Sequence, residues 1–193
     1  MQAPFSLDAL LNRYGSRRVH LEPVYIRMAG EAGRLASPHN LERVFLAAEL
    51  PALAANIPGA ETIILGLCTI GQALEDRVAE LFTADPVSAV VLDEIGTRWT
   101  NELGRALHER IRAAARHLGK QASPSYRPGI GRWPLDLQET ILGYLPAAEI
   151  GVGVSNGMLI PQKSISMIVG VGTKLNRSHA GRGSKQLSVN SYQ

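Results

Sequence analysis

The chain has 193 residues, of which 45% are hydrophobic and 19% charged, a composition that is typical of a globular protein and excludes a wholly disordered one. Its net charge of +3 is too small to indicate nucleic-acid binding, and its single cysteine excludes an internal disulfide and a multi-cysteine metal site. The start does not resemble a signal peptide, and no apolar run reaches the roughly 18 residues of a membrane span. We therefore expect a soluble, cytoplasmic protein without a membrane partner.

The first 58 residues indicate mainly helix. Ser6 is placed to cap a first helix, and Pro23 stands where a proline is tolerated in the first turn of a second helix. The predicted elements are helices over 7–14 and 23–35, a strand over 42–47 and a brief helix over 51–56.

The middle of the chain predicts a buried strand followed by two helices. The strand covers 62–69, which is apolar and β-branched, and the first helix covers 72–82. Asp85 and Pro86 form a good helix start, after which apolar residues recur at helical spacing as far as about Leu118. This segment is predicted to be the longest element of the fold.

The last third begins with a turn-rich loop over 123–134. Beyond it we predict a helix over 135–145, two extended pieces over 149–154 and 157–160, and a strand that starts at Ser164. The expected fold is α+β, with the long helix and shorter helices packed on a twisted, mostly antiparallel sheet. We expect one domain over 1–174, helical over about 1–58, and a flexible basic tail over 175–193.

The loop is the strongest candidate for a functional site. Its three prolines and two glycines exclude a regular helix or strand, and they are interleaved with Tyr126, Arg127, Arg132 and Trp133. Guanidinium groups and aromatic rings on an exposed loop suit an anionic or planar ligand. The alternative is a surface connection in which arginine serves solubility.

Known catalytic patterns are not recognisable elsewhere. The five histidines are scattered without metal-ligand spacing, and neither a dinucleotide-binding glycine fingerprint, a Walker sequence nor a nucleophile elbow is present. Cys68 lies in the buried strand and is interpreted as a small core residue.

Five segments, taken in their order, resemble a known family. They are 68–71 (Cys-Thr-Ile-Gly), 92–96 (Leu-Asp-Glu-Ile-Gly), 107–112 (Leu-His-Glu-Arg-Ile-Arg), 127–134 (Arg-Pro-Gly-Ile-Gly-Arg-Trp-Pro) and 161–170 (Pro-Gln-Lys-Ser-Ile-Ser-Met-Ile-Val-Gly). The fourth segment looks like the Arg-Pro-x-x-Gly-Tyr-Pro sequence of the activation domain of vitamin B12-dependent methionine synthase, which binds S-adenosylmethionine. The others resemble that domain and its short stand-alone relatives, over roughly 61–172.

The resemblance implies a function. A stand-alone activation domain would bind S-adenosylmethionine, dock on a separate corrinoid (cobalamin) methyltransferase protein, and support reductive activation of its cobalt with an electron from a flavodoxin- or ferredoxin-type donor. Arg127 matches the loop arginine and is expected to anchor the ligand's carboxylate, while Gly129 and Gly131 match small residues of the loop.

This chain also departs from the family pattern. The loop is one residue longer, so that Trp133 stands near the place of the tyrosine, and the family's helix glutamate falls on Asn101 with Glu102 beside it. The residues expected to contact the cofactor are Tyr126, Arg127, Gly129, Gly131, Trp133 and Glu102.

Two alternatives remain. The same fold with a weakened site would be a non-catalytic interaction or structural subunit of a corrinoid methyltransferase or another complex, which Trp133 and Asn101 favour. A methyltransferase that acts directly on an acceptor is disfavoured, because no Rossmann-type glycine fingerprint is present.

Overall fold

A computed structural model describes residues 4–175 of the chain. Within these residues the helices are α1 (Leu7–Leu11), α2 (Arg18–Leu35), α3 (Pro51–Ala54), α4 (Ala73–Ala84), α5 (Pro86–His117) and α6 (Leu137–Tyr144). The strands are β1 (His39–Leu46), β2 (Thr62–Thr69), β3 (Gln121–Ala122), β4 (Gly153–Ser155), β5 (Met158–Ile160) and β6 (Ser164–Gly172).

The main sheet has four strands in the order β1-β2-β6-β3, and all its pairings are antiparallel. Strands β2 and β6 form the centre, with Cys68 opposite Ile165 and Thr69 opposite Ser164. Strands β4 and β5 form a separate hairpin whose turn places Asn156 and Gly157 at positive φ. The predicted α+β class, with an antiparallel sheet and a long helix, is confirmed.

Helix α5 links the two halves of the molecule. Asp85 caps it by accepting a hydrogen bond from the Ser88 backbone N–H at 3.2 Å, and Pro86 occupies the first turn, as the sequence predicts. Its first half packs against α2 and α4 around the buried Trp99, and its second half packs through Leu107, Ile111 and Ala115 on the sheet. The apolar stripe of α5 is therefore buried against helices in its first half and against the sheet in its second half.

The other face of the sheet is covered by α3, α6 and the loop that precedes α6. Inward-pointing residues of β2 and β6 alternate with those that face α5, as expected for pleated strands. The buried cluster on this side includes Phe45, Ile63, Ile141, Ile168 and Trp133.

Some predicted boundaries were wrong. Helix α2 begins at Arg18 rather than at Pro23, which stands inside it. As the sixth residue of α2, Pro23 removes one intrahelical hydrogen bond and crowds the carbonyl four residues earlier, and the burial of Tyr25 and Met28 further along favours the continued helix. A 3₁₀ segment, Asn12–Arg17, replaces the end of the first predicted helix.

Two further segments differ from the prediction. Residues 147–150 form a 3₁₀ turn instead of the start of an extended piece, and the short strand β3 was not predicted. The predicted basic tail, apart from its first residue, lies outside the described residues. None of the described helices is both long and apolar enough to cross a membrane.

Candidate functional site

A shallow polar pocket lies where the loop after β3 crosses α5 beside the first residues of β6. Its volume is about 130 Å³. The lining residues come from α5, the loop and the segment that leads into β6: Thr97, Thr100, Asn101, Arg127, Gln162, Lys163, Ser164 and Ile165.

The backbone pairing of Tyr126 explains how Arg127 reaches this pocket. Tyr126 and Ile168 exchange two backbone hydrogen bonds of 2.9 and 2.8 Å, so the chain is extended at this point and continues the sheet edge. Because neighbouring residues of an extended chain point to opposite faces, Tyr126 packs in the cluster below the sheet and Arg127 projects toward α5.

The guanidinium of Arg127 lies across Gly104 of α5. A Cβ at Gly104 would stand 3.6 Å from Nη2 of Arg127, an ordinary packing distance, so the guanidinium lies close to the helix surface at this position. Nη1 donates a hydrogen bond of 3.3 Å to Oδ1 of Asn101. Within residues 4–175 no carboxylate forms an ion pair with Arg127, which leaves most of its five N–H donors for another acceptor.

Lys163, the second cation of the pocket, is paired. Its Nζ lies 2.7 Å from Oδ1 of Asp93, and its backbone N–H donates to Oε1 of Glu75 at 2.5 Å. Its backbone carbonyl accepts the Ile70 N–H at 3.1 Å and the Thr100 hydroxyl at 3.3 Å. These bonds fix the entrance of β6, and Asp93 neutralises the ammonium, so Arg127 remains the cation available to a ligand.

The floor of this region holds Cys68. Burial raises the pKa of the Cys68 thiol to about 11, although the positive charge of Arg127 acts in the opposite direction. The thiol therefore stays protonated near neutral pH and is not poised as a nucleophile. The interpretation of Cys68 as a buried core residue agrees with its full burial.

Gly129 and Gly131 shape the loop without lining the pocket. Both have positive φ, +82° and +64°, a region that glycine adopts most easily. The Gly129 N–H donates to the Trp133 carbonyl at 2.8 Å, and this bond closes the turn. The two glycines therefore shape the turn and do not contact the pocket.

Trp133 and Tyr126 lie on the other side of the sheet from Arg127. Trp133 is only 4% exposed and belongs to the core cluster that contains Ile168. Its ring stacks on Tyr126 with centroids 5.0 Å apart and an interplanar angle of 29°. The structure brings these two predicted contacts together with each other and separates them from the pocket.

Glu102 neighbours Asn101 in sequence but is engaged by two arginines of its own helix. Its carboxylate lies 3.2 Å from Arg98 and 2.6 Å from Arg105. Of the predicted contacts, Arg127 alone lines the pocket.

The pocket residues that sequence reasoning missed are Thr97, Thr100, Gln162, Lys163, Ser164 and Ile165. One usable signal was the pair Gly96 and Gly104, about two helical turns apart on α5, because glycine inside a helix often marks a close approach. A Cβ at Gly96 would stand 2.7 Å from Cδ2 of Leu74 and 3.3 Å from Cε of Lys163, and one at Gly104 would lie 3.4 Å from Cδ1 of Ile165.

The arrangement suits recognition of an anion more than bond-breaking chemistry. Hydroxyl and amide groups surround one guanidinium, while among residues 4–175 no group of three or more histidine, cysteine or acidic side chains is placed to hold a metal ion.

No protein-family model matches the sequence, and no curated protein matches it significantly.

Proposed function

We propose that the chain binds S-adenosylmethionine in the polar pocket that Arg127 lines and acts as an activation module for a corrinoid methyltransferase. The observation that carries the proposal is the position of Arg127, whose guanidinium faces a polar pocket with one hydrogen bond to Asn101 and no ion pair within residues 4–175. The corrinoid partner is inferred from the sequence resemblance.

The chemistry of the pocket fits the amino-acid end of this ligand. A guanidinium binds a carboxylate through two parallel hydrogen bonds, which are stronger than bonds between neutral groups. The exposed Asn101 side chain and the hydroxyl of Thr97 lie in the same pocket and offer acceptors for the ligand's amine. These groups would hold the ligand in one orientation, which is the protein's contribution to cofactor chemistry.

In this proposal the chain's own residues bind and orient rather than react. S-Adenosylmethionine would supply the methyl group and leave as S-adenosylhomocysteine, a flavodoxin- or ferredoxin-type protein would supply one electron, and the cobalt of the partner's corrinoid would accept both. The buried Cys68, with its raised pKa, takes no part in the transfer.

A non-catalytic interaction subunit is the second candidate. It is favoured because Trp133 serves the core and Glu102 is neutralised by Arg98 and Arg105, so two expected ligand contacts are used by the fold. The loop and the β4–β5 hairpin also expose apolar side chains that suit a protein partner: Ile130, Leu135, Met158 and Ile160.

Calorimetric titration with S-adenosylmethionine tests the proposed site. Arg127→Ala should weaken binding by roughly 10- to 100-fold, because hydrogen bonds to charged groups are worth about 1.5–3 kcal/mol. Arg132→Ala is the matched control, since Arg132 belongs to the same loop but contacts the Asn56 carbonyl and lies outside the pocket. It should change the affinity less than twofold.

The two candidates give different results in this titration. Folded wild-type protein that binds no S-adenosylmethionine would contradict the ligand site. If the same protein still forms a stable complex with a purified corrinoid methyltransferase protein, the interaction subunit becomes the better description.

A further inference from the structure

A second cavity adjoins the Arg127 pocket. Its volume is about 230 Å³, and it shares Gln162 and Lys163 with the first. The rest of its lining comes from one face of α4 and from Asp93 of α5: Glu75, Val78, Ala79 and Phe82 stand at helical spacing on α4.

Size indicates that a ligand of the proposed class cannot be confined to the first pocket. A volume of about 130 Å³ is well below the roughly 300–1,000 Å³ of pockets that bury drug-sized ligands. The first and second cavities together enter that range. The Gln162–Lys163 segment between them is the shared wall across which a longer ligand would lie.

The two cavities also differ in charge. Arg127 brings a positive charge to the first, whereas Glu75 brings a negative charge to the second, since its carboxylate accepts only the Lys163 backbone N–H and forms no ion pair within residues 4–175. Lys163 and Asp93, which form an ion pair, neutralise each other between them. A ligand with an anionic end followed by a cationic centre matches this order of charges.

Phe82 supplies the remaining feature. It lines the second cavity and is 53% exposed, so its ring is accessible to a ligand. An exposed ring beside Val78 offers a flat apolar surface on which a purine base can stack.

We infer that the second cavity is the nucleoside subsite of this protein, with Phe82 as the contact for the adenine and the carboxylate of Glu75 near the sulfonium. This inference rests on the proposed function, because it takes Arg127 as the anchor of the ligand's carboxylate.

Two ligands separate the inference from the function on which it rests. S-Adenosylmethionine carries the nucleoside, whereas S-methylmethionine has the same carboxylate, amine and sulfonium without it. Phe82→Ala should weaken S-adenosylmethionine binding by about tenfold, the loss expected for one aromatic–base contact, and leave S-methylmethionine binding within twofold. Arg127→Ala should weaken both.

Leu118→Ala is the matched control, because Leu118 is a 72% exposed apolar residue at the end of α5 that lines neither cavity. It should leave both affinities unchanged. If Phe82→Ala binds S-adenosylmethionine as the wild type does while Arg127→Ala does not, the nucleoside subsite is wrong and the carboxylate site stands. If the folded wild type binds neither ligand, the proposed function fails and this inference fails with it.

Discussion

The carboxylate of Glu61 links three segments at one end of the sheet. It pairs with Nζ of Lys120 at 2.8 Å and accepts hydrogen bonds of 2.7 Å from both the backbone N–H and the hydroxyl of Thr173. These bonds, with that to Lys120 first, lower the pKa of Glu61 from its ordinary 4.5 to about 2. One residue before β2 therefore ties down the start of β3 and the end of β6.

The lowered pKa of Glu61 gives a pH dependence with a definite sign. A carboxylate with a depressed folded-state pKa adds stability above about pH 4.5 and loses that contribution as the pH falls toward about 2. The difference in melting temperature between wild type and Glu61→Gln should therefore be largest above pH 5 and shrink toward pH 2. Thermal melts between pH 2 and 7 measure it.

Glu109→Gln provides the comparison, because it removes an exposed ion pair with Arg112 on α5. Such pairs contribute little. If the difference in melting temperature from the wild type depends on pH as strongly for Glu109→Gln as for Glu61→Gln, the role assigned to Glu61 is contradicted.

At the scale of elements, the loop over 123–136 divides its residues between the two faces of the sheet. Arg127 projects toward α5, whereas Trp133 stacks on Tyr126 in the opposite cluster. The loop therefore contributes both to the wall of the pocket and to the core, and its aromatic residues hold the position from which the arginine extends.

Substitution of Trp133 separates these two roles. Trp133→Ala should destabilise the protein by about 3–5 kcal/mol, the usual cost of removing a buried tryptophan. Trp133→Phe keeps an aromatic ring in the cluster and should leave S-adenosylmethionine affinity within twofold. Chemical denaturation and calorimetry measure the two effects. Loss of binding in a Trp133→Phe protein of wild-type stability would show that the indole contacts the ligand.

Local pattern was sufficient to predict the α+β class, the long helix and the central strands. Apolar spacing over 86–117 and the cap at Asp85 act within a few residues of one another, so they can be read from the sequence. Strand β3 has only two residues, and it is a strand because it pairs with β6. A pairing between distant segments cannot be seen in the local sequence pattern.

The candidate site was only partly predictable for the same reason. Residue type and resemblance pointed to Arg127, but the face reached by each loop residue depends on the pairing of Tyr126 with Ile168. The bonds of Lys163 to Asp93 and Glu75 join residues 70 and 88 positions apart, beyond the reach of local reasoning.

At the scale of the whole molecule, α5 joins the helical half to the sheet. Trp99 is buried where α5 meets α2 and α4, and Trp133 is buried on the far side of the sheet. Because α5 is one continuous helix that packs both in the helical half and on the sheet, we expect the helical half and the sheet to unfold together.

The two tryptophans of the chain report on these two regions separately. In Trp99→Phe the remaining tryptophan, Trp133, reports on unfolding of the sheet side. In Trp133→Phe the remaining tryptophan, Trp99, reports on unfolding of the helical half. Within each variant the fluorescence and circular-dichroism midpoints in urea should coincide. Midpoints that differ in either variant would mean that the helical half and the sheet unfold as separate units.

Arg127 makes few bonds to the rest of the fold, and this has a consequence for how such a protein evolves. Its guanidinium contributes one hydrogen bond of 3.3 Å to the fold, whereas the neighbouring Trp133 is part of the core. Selection for a folded chain preserves the tryptophan but does little to preserve the arginine. A descendant could therefore replace Arg127, and with it any ligand that the arginine anchors, without passing through an unstable ancestor.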